Sequence, residues 1–550
     1  MKKLLTVILA LCLLLSSTAA FAEGVDLSPL YAVYPVTEEK ASMGMAVLKG
    51  SIDVEPDEIW FWPWMEKLSN VAWDVNYIDS SIWPDKKAVM LASGDYPDVF
   101  WGPTFSNTEI MTYGMEGYFL ALNDYFNDEY TPALSTLLEK YPEVRAQIAC
   151  PDGNIYSFPT FSIDDYSAQR AWINTQWLDR LGLKMPETLD DFYNVLLAFK
   201  EQDANGNGDP NDEVPWGGYA GDTLHGRTYV LAALGFVTGD SDENAAVKDG
   251  EACYLPLHED YRKYLEFCNK CWEAGLMDPD IFTQTREQCN AKNTGVDAVK
   301  VGYIGTQTSY GVVGYDEAAW SQFDHVVPLT SEVNDKRIWP KQDVTGVGTM
   351  MITDKCKTPE IAAAWMDRLY DPNVAVLFQN GPIYGTETDP DGIGWKPETG
   401  TTEPVGLTQA NPEKLGWWNY LCVYMVPRNR GGQWFASIND YYALDNQTMF
   451  TYNRVLMHEE GWWRECNAKN AAPYFTYGYP NVVFYSEEDA QTMKELTTPL
   501  NDYVSIMEAK FVTGAESFDN YDRFVTEMIA MGADKVDTIY RTSYAAIQNR

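Results

Sequence analysis

The sequence predicts an α/β protein with two lobes, and three observations support this fold class. Its 550 residues are too many for one ordinary hydrophobic core, so two or more lobes are expected. Apolar residues make up 45% of the chain and charged residues 22%, which is typical of globular proteins. Short apolar strands and amphipathic helices both occur along the chain.

The first 22 residues are predicted to be a secretory signal peptide. Lys2 and Lys3 precede the apolar run 4–15, and Ala20-Phe-Ala22 forms a small-x-small cleavage site before Glu23. The run is too short for a comfortable membrane span, which needs about 20 apolar residues. The sequence therefore predicts an exported protein whose mature form starts at Glu23.

The charge and the aromatic content restrict the possible ligands. The formal net charge is −40, so the surface should repel nucleic acid and anionic lipid, and neither is expected as a partner. Aromatic residues reach 14%, with 19 Trp and 35 Tyr. Packing can use many of them, but Trp and Tyr also suit a sugar-binding cleft, since a sugar ring presents an apolar C–H face to an aromatic plane.

The predicted elements follow in chain order from residue 31. The first lobe should contain a helix within 65–71, a buried strand ending at Trp101, helices over 118–125 and 133–141, and a crossing segment over 155–159. The second lobe should open with the apolar strand Ala171 to Asn174. The helix from Thr188 to Lys200 has a recognisable start, because Thr188 is a typical N-cap and Asp191 stands where a capping box has its carboxylate.

Further elements are predicted toward the C-terminus. They are helices around 225–236 and 260–275, strands over 298–304 and 346–352, a helix from Thr358 to Leu369, and amphipathic helices near 520–531 and 535–547. Cys268 and Cys271 form a C-x-x-C pair on the apolar face of the helix near 260–275. We interpret this pair as part of the helix core rather than as a redox or zinc site.

The loop after the Thr188 helix alternates polar side chains with small residues and predicts a structural calcium site. Calcium prefers roughly six to eight hard oxygen ligands, and alternate side chains of a tight loop can converge on one point. The loop opens like an EF-hand, with Gly208 at the sixth position, but its twelfth position is Val214. The alternative is a solvated Asn/Gly turn. The expected ligands are Asp203, Asn205, Asn207, the carbonyl of Asp209, Asp212 and Glu213.

Several segments occur in a recognisable order and spacing. They are Met90-Leu-Ala-Ser-Gly-Asp-Tyr-Pro-Asp98, Tyr113-Gly-Met-Glu-Gly117, Asp152-Gly-Asn-Ile-Tyr-Ser-Phe-Pro159, WINTQWLDRLGL over 172–183, and the D-x-N-x-N-G…DE-x-P loop over 203–215. In this order they resemble the extracellular solute-binding proteins of ABC importers, in the large branch similar to alginate- and oligosaccharide-binding proteins. The resemblance covers nearly all of the mature chain.

The resemblance implies a two-lobed periplasmic-binding-protein-like fold of type II with multiple crossings between the lobes. The first lobe is expected to comprise 23–158 and about 297–346, and the second 159–296 and about 347–550. The family usually carries a lipid-anchored cysteine in Gram-positive organisms, but Cys12 lies inside the apolar run and does not fit. The calcium loop is about one residue longer before its acidic pair than in the family, so Asn211 is an alternative ligand to Asp212.

Candidate ligand-binding residues are aromatic and polar residues in predicted loops. Trp60, Trp62 and Trp64 alternate and would share one side if their segment were extended. Packing is the competing explanation for each tryptophan, and Trp172, Trp177, Trp272 and Trp365 are assigned to the core. The selected ligand-binding residues are Trp62, Asp95, Trp101, Trp216, Gln307, Trp418, Arg430 and Trp434.

No catalytic motif is visible in the sequence, which contains neither G-x-S-x-G nor H-E-x-x-H. We therefore predict a monomeric receptor, not an enzyme, that captures an oligosaccharide between its lobes and delivers it to the transmembrane subunits of an ABC permease. The alternatives are a secreted glycan-cleaving enzyme, a peptide-binding receptor and a secreted scaffold or adhesin. The expected location is extracellular or periplasmic, in association with the cell envelope.

Overall fold

The computed structural model describes most of the chain between residues 35 and 548. The described ranges are 35–49, 61–102, 105–161, 169–220, 223–239, 244–294, 299–314, 316–341, 343, 345–371, 374, 395–397, 407–409 and 458–548. The predicted signal peptide and the predicted ligand-binding residues Trp418, Arg430 and Trp434 lie outside these ranges.

The strands are numbered in chain order. They are β1 (Ala41–Lys49), β2 (Val71–Asp79), β3 (Val99–Trp101), β4 (Phe158–Phe161), β5 (Ala171–Asn174), β6 (Val214–Gly217), β7 (Val237–Thr238), β8 (Ala245–Lys248), β9 (Glu251–Tyr254), β10 (Val301–Gly305), β11 (Phe323–His325), β12 (Trp339–Lys341), β13 (Thr345–Ile352), β14 (Trp395–Pro397), β15 (Leu407–Gln409) and β16 (Phe475–Tyr477).

The helices are numbered in the same way. They are α1 (Phe61–Ser69), α2 (Trp83–Ser93), α3 (Asn107–Met115), α4 (Pro132–Lys140), α5 (Pro142–Ile148), α6 (Thr175–Leu181), α7 (Leu189–Glu201), α8 (Thr223–Ala233), α9 (Tyr261–Glu273), α10 (Arg286–Asn293), α11 (Tyr310–Val313), α12 (Glu317–Trp320), α13 (Pro359–Asp367), α14 (His458–Asn470), α15 (Glu487–Val512), α16 (Tyr521–Ala530) and α17 (Ala533–Gln548). Within the described ranges, none of these helices combines the length and the apolar character needed to cross a membrane.

The chain divides into two compact units, and the first comprises the described residues up to Ile163 and those between Gly346 and Val455. Its main sheet has the strand order β2-β1-β3-β13-β4. β1 runs parallel to β2 and to β3, and helices α1 and α2 connect β1 to β2 and β2 to β3, as parallel strands require. β13 enters the same sheet antiparallel to β3.

The second unit comprises the described residues between Asp164 and Thr345 and those after Leu456. Its main sheet has the order β11-β5-β10-β6, in which β10 is parallel to β6 and antiparallel to β5. All residues of β10 are buried, and Tyr303 at its centre packs edge-to-face against Phe192 of α7 and Trp216 of β6. A separate antiparallel sheet, β7-β8-β9, lies in the same unit.

This division differs from the expected assignment of segments to lobes. The segment 297–346 was expected in the first lobe, but β10 pairs with β5 and β6 inside the sheet of the second unit. The next strand, β13, is the one that joins the sheet of the first unit. Residues from about 347 were expected in the second lobe, whereas the described part of the chain returns to the second unit only after Val455. An apolar strand can pair in either sheet, so the sequence does not select the partner.

Several local predictions are confirmed. Thr188 caps α7 and forms a reciprocal capping box with Asp191. The Asp191 N–H donates to the Thr188 hydroxyl oxygen, and the Thr188 N–H donates to the Asp191 carboxylate, both at 3.1 Å. The strand over 171–174 is present, and Cys268 and Cys271 are buried in the core.

The segment around Trp62 differs from the expectation. It is not extended, because the helix α1 starts at Phe61, and Trp62 is half-buried whereas Trp64 is buried.

A buried carboxylate links two helices of the first unit. Asp367, at the end of α13, accepts hydrogen bonds from the backbone N–H groups of Ala133 (3.1 Å) and Leu134 (2.8 Å), in the first turn of α4. The N-cap residue Thr131 instead donates its hydroxyl to the Tyr125 carbonyl. Burial raises the pKa of the Asp367 carboxyl to about 6, against the lowering effect of the two N–H donors. Asp367 therefore caps α4 from a distant part of the sequence.

We expect Asp367→Asn to remove a pH dependence from the stability of the protein. A carboxyl whose folded-state pKa is raised favours the folded state while it is protonated, and this contribution is lost as pH rises from about 4 to about 6. The unmutated protein should therefore lose stability relative to Asp367→Asn across this window. Denaturant unfolding at a series of pH values measures the difference.

The control is Asp367→Ala, which removes the acceptor and should cost about 1–2 kcal/mol, as the loss of a helix cap does. A stability difference between the unmutated protein and Asp367→Asn that stays constant from pH 4 to pH 6 would contradict this assignment.

Candidate functional site

The predicted calcium loop connects α7 to β6, and its side chains fold back onto its own backbone. The carboxylate of Asp203 accepts the Gly208 N–H at 2.9 Å, and Asn205 Oδ1 accepts the Asn207 N–H at 2.9 Å. Asn207 Oδ1 accepts the Asp209 N–H at 2.8 Å. The alternate positions identified in the sequence therefore do turn toward the inside of one tight loop.

Asp212, rather than Asn211, faces these side chains. The amide groups of Asn205 and Asn207 donate to the two Asp212 oxygens at 2.8 and 2.9 Å. Lys300 lies 3.1 Å from the same carboxylate. Burial opposes ionisation of Asp212, but the hydrogen bonds from Asn205, Lys300 and Asn207 outweigh it and hold its pKa below the usual value. Asn211 instead donates its side-chain amide to Asp209.

Two carboxylate oxygens of this loop suit a cation. Asp203 Oδ1 and Glu213 Oε2 are buried and have no hydrogen-bond partner among the described residues. Burial raises the pKa of Glu213, and the neighbouring charge of Asp212 adds to this effect. The described residues contain no group of three or more His, Cys, Asp or Glu arranged to hold a metal. A calcium ion here would therefore depend on the amide and carbonyl oxygens of the loop as well as on its carboxylates.

In the first unit, two of the predicted ligand-binding tryptophans lie together. The ring centroids of Trp62 and Trp101 are 5.4 Å apart, and Trp365 stacks parallel to Trp62 at 6.4 Å. The Trp62 indole N–H donates to the Tyr77 hydroxyl at 3.1 Å. Trp101 is 4% exposed, so its expected role in stacking on a ligand is contradicted by its burial. The half-buried Trp62 is the member of this pair that retains accessible surface. Asp95 is exposed and precedes β3, whereas Trp101 ends it.

In the second unit, three chain segments meet at one edge of the main sheet. β6 and β10 run parallel, so their carboxyl ends, at Gly217 and Gly305, lie at the same edge. β5 is antiparallel and begins there, because Ala171 is opposite Gly305. We call this the β10 edge, formed by 169–171, 218–220 and 305–310. Open α/β sheets bind ligands at the carboxyl ends of their strands, which makes the β10 edge a candidate ligand-binding surface.

Helix α14 covers part of the β10 edge with two adjacent tryptophans. The guanidinium of Arg170 lies 3.8 Å from the Trp463 ring centroid and donates to the Gln307 carbonyl at 2.8 Å. Trp462 stacks on Trp172 at 5.2 Å with an interplanar angle of 21°. Arg170 thus connects α14 to the loop that follows β10.

The other predicted residues have different positions. Gln307 is exposed at the β10 edge, with its carbonyl bound to Arg170. Trp216 is 3% exposed and packs against Phe192 in the core, so its expected role in stacking on a ligand is contradicted by its burial. It lies in β6, immediately before the edge, which explains why a loop position was expected.

Two residues were missed in the sequence analysis, Arg170 in the β10 edge and Trp462 in the helix that covers part of it. Arg170 lies just before the strand over 171–174, and Trp462 follows Gly461 in a Gly-Trp-Trp sequence. The Gly-Trp-Trp pattern also occurs at 416–418, where Trp418 was selected, so the same signal was available for Trp462. Nothing in the sequence indicates that Arg170 and Trp463, almost 300 residues apart, are in contact.

The chain has relatives among known proteins. Residues 54–257 match the family model described as bacterial extracellular solute-binding protein. The fructooligosaccharide ABC transporter substrate-binding protein FusA of Streptococcus pneumoniae is 26% identical over 535 residues. This alignment covers 94% of the present chain and 92% of FusA.

Solved structures agree with the sequence match. FusA of S. pneumoniae in complex with kestose has a TM-score of 0.65 at 24% identity, and covers 92% of this chain and 99% of its own. An EF-hand mutant of FusA in complex with fructo-nystose gives the same TM-score at 23% identity, with coverages of 92% and 99%. An HMO-binding solute-binding protein from Bifidobacterium longum infantis reaches 0.74 at 18% identity, with coverages of 92% and 98%. These similarities confirm the predicted α/β fold of the type II periplasmic binding proteins.

We expect Arg170→Lys to destabilise the second unit although it keeps the positive charge. Lysine lacks the planar guanidinium that stacks on Trp463 while donating to the Gln307 carbonyl. Loss of a buried charged hydrogen bond and of a desolvated cation–π contact should cost about 2 kcal/mol or more. Thermal and denaturant unfolding measure this cost.

The matched control is Arg262→Lys, an arginine that also lies over an aromatic ring, Tyr521 at 5.4 Å, but is solvent-exposed and pairs with Glu266. That exchange should cost less than about 1 kcal/mol. Equal effects of the two exchanges would contradict the role assigned to Arg170.

Proposed function

We propose that this chain is a bacterial extracellular solute-binding protein, that it serves as the receptor of an ABC importer, and that it binds a neutral oligosaccharide. The observation that carries the proposal is the similarity to FusA along almost the whole of both chains. It bears out the family resemblance of the sequence. FusA is named for fructooligosaccharides, and we extend the sugar class, but not the particular sugar, to this chain.

The β10 edge supports a sugar as the ligand. Half-buried aromatic side chains, Tyr219, Tyr310 and Trp462, pack against the same buried cluster, and Gln307 on the loop after β10 is exposed. Aromatic faces combined with a few polar groups are the usual composition of a sugar-binding surface. In the first unit, the half-buried Trp62, packed against Trp101 and Trp365, offers a further aromatic side chain.

A neutral sugar is favoured over an anionic one. The net charge of −40 repels polyanions, and Arg170 at the β10 edge is only 3% exposed because it lies against Trp463. The Arg170 guanidinium therefore contacts other protein groups and is not accessible to a ligand.

We also retain Trp418, Arg430 and Trp434, which lie outside the described residues, as proposed ligand-binding residues.

We propose binding without catalysis. The relatives reported above are substrate-binding proteins, and a receptor has to release its sugar intact to a permease. The competing functions are a glycan-cleaving enzyme and a peptide receptor. A monomer exported to the cell envelope, with its signal removed after Ala22, is the form we propose for delivery to the transmembrane subunits of the importer.

We further propose that the loop 203–213 holds one structural calcium ion. The support is the pair of buried, unpartnered oxygens on Asp203 and Glu213, together with Asp212 facing Asn205 and Asn207. The FusA EF-hand mutant among the similar structures fits a site of this kind in the family. Asp203, Asn205, Asn207, the Asp209 carbonyl, Asp212 and Glu213 would hold the ion, which would neutralise the carboxylates.

Calorimetric titration tests the ligand class. The unmutated protein should bind a neutral oligosaccharide at one molecule per chain, leave it uncleaved, and respond weakly or not at all to anionic oligosaccharides and short peptides. We expect Trp418→Ala to weaken binding about tenfold, and Trp434→Ala to do the same. Loss of one stacking contact should cost about 1.4 kcal/mol, which corresponds to a factor of ten in the dissociation constant. Tight binding of a peptide with no response to any sugar would refute the sugar class, and cleavage of the glycan would refute the receptor.

The effect of calcium removal on stability tests whether the loop 203–213 holds a calcium ion. A chelator should lower the melting temperature of the unmutated protein, because a ligand that binds only the folded state stabilises it. Asp203→Ala should lower the melting temperature in calcium and make the protein insensitive to chelator. Asn211→Ala is the matched control and should keep the response, since Asn211 turns away to Asp209. Metal analysis that finds no calcium, with a melting curve unaffected by chelator, would refute the site.

A further inference from the structure

We propose that Trp462 is the platform on which a sugar ring of the ligand stacks in the second unit. This inference rests on the proposed function, because it names the side chain at the β10 edge that would contact the oligosaccharide. It assigns to Trp462 a role that the sequence analysis did not foresee.

Trp462 is stacked on one face and keeps part of its surface accessible. Its ring is nearly parallel to the Trp172 ring at 5.2 Å, so one face is covered. Trp320 approaches from another side, with centroids 4.8 Å apart and planes inclined by 54°. The side chain is nevertheless only half-buried. A sugar ring would stack on the accessible part of the face that Trp172 does not cover.

Trp462 is more accessible than the other described tryptophans of its cluster. The other described tryptophans of the cluster, Trp172, Trp320 and Trp463, are all buried, with at most 5% of their surface exposed. Trp462 packs against the same cluster, but as a half-buried side chain at its margin. Of these four side chains, Trp462 is therefore the one that a ligand can contact.

The platform is held in place before any ligand arrives. Trp172, beneath Trp462, is fully buried, and its indole N–H donates to the Thr306 carbonyl at 3.0 Å. The adjacent Trp463 is fixed by the guanidinium of Arg170, which is also bound to the Gln307 carbonyl. The second of these contacts attaches α14 to the loop after β10 through Arg170. A preorganised aromatic surface loses little conformational entropy when it binds.

The chemistry of the surroundings fits a neutral sugar ring. An indole face attracts the polarised C–H bonds on the apolar side of such a ring. Gln307 is exposed on the neighbouring loop and can exchange hydrogen bonds with sugar hydroxyl groups through its side-chain amide. Arg170 at this edge is buried against Trp463, so a carboxylate-bearing sugar gains no ion pair from it.

The test compares three variants by calorimetric titration with the neutral oligosaccharide that binds the unmutated protein most tightly. Trp462→Ala should weaken binding about tenfold, whereas Trp462→Phe, which keeps an aromatic face, should stay within about threefold. Trp272→Ala is the matched control, because Trp272 is another half-buried tryptophan of the second unit, packed on Phe282 at 6.1 Å. It should lower the melting temperature without changing the affinity.

A second readout does not require the alanine variant to fold. Sugar binding should change the tryptophan fluorescence of the unmutated protein, and Trp462→Phe should lose most of this change while Trp272→Phe retains it. Unchanged affinity in Trp462→Ala, or an unchanged fluorescence response in Trp462→Phe, would overturn the platform and leave the receptor function intact. Absence of binding to every oligosaccharide by the unmutated protein would instead overturn the proposed function, and the platform with it.

Discussion

The pairing of β10 with strands on both sides is the constraint on which the second unit depends. β10 is buried along its whole length, parallel to β6 and antiparallel to β5. This arrangement places the end of β10, the end of β6 and the start of β5 at one edge. The residues next to these strand ends, among them Arg170 and Gln307, are brought together by the register of three short strands.

The same strands separate the proposed metal from the proposed ligand. The calcium loop leads into the amino end of β6, and Asp212 pairs with Lys300, which precedes β10. The β10 edge lies at the opposite, carboxyl ends of these two strands. A bound calcium would therefore stabilise the entry of two central strands into the sheet, without direct contact with a sugar at the other end.

Local signals in the sequence predicted much of the fold. The capping box of Thr188 and Asp191, the strand before it and the alternation in the calcium loop depend on neighbouring residues, and the structure contains each of them. The long helix α15 was not predicted, and Pro499 within it is a signal against a helix. The apolar side chains that α15 buries stabilise this helix by more than the backbone hydrogen bond lost at Pro499 destabilises it.

Long-range contacts could not be predicted in the same way. An aromatic-rich composition does not distinguish Trp216, which fills the core, from Trp462, which lies at its margin. The unit to which β10 belongs depends on pairing partners more than 80 residues away in sequence. The contact of Arg170 with Trp463 depends on α14 returning to the second unit after a long excursion.

Hydrogen exchange of backbone amides, with and without a bound neutral oligosaccharide, tests the central claim most directly, namely that the β10 edge of the second unit is a sugar-binding surface. Amides at 218–220 and 306–310 and those of the first turns of α14 should exchange more slowly when the sugar is bound, because the ligand covers these segments and suppresses their local opening. Amides in the β7-β8-β9 sheet of the same unit should be unaffected. Saturating sugar, established by calorimetry, with no change in exchange at the β10 edge would contradict the account.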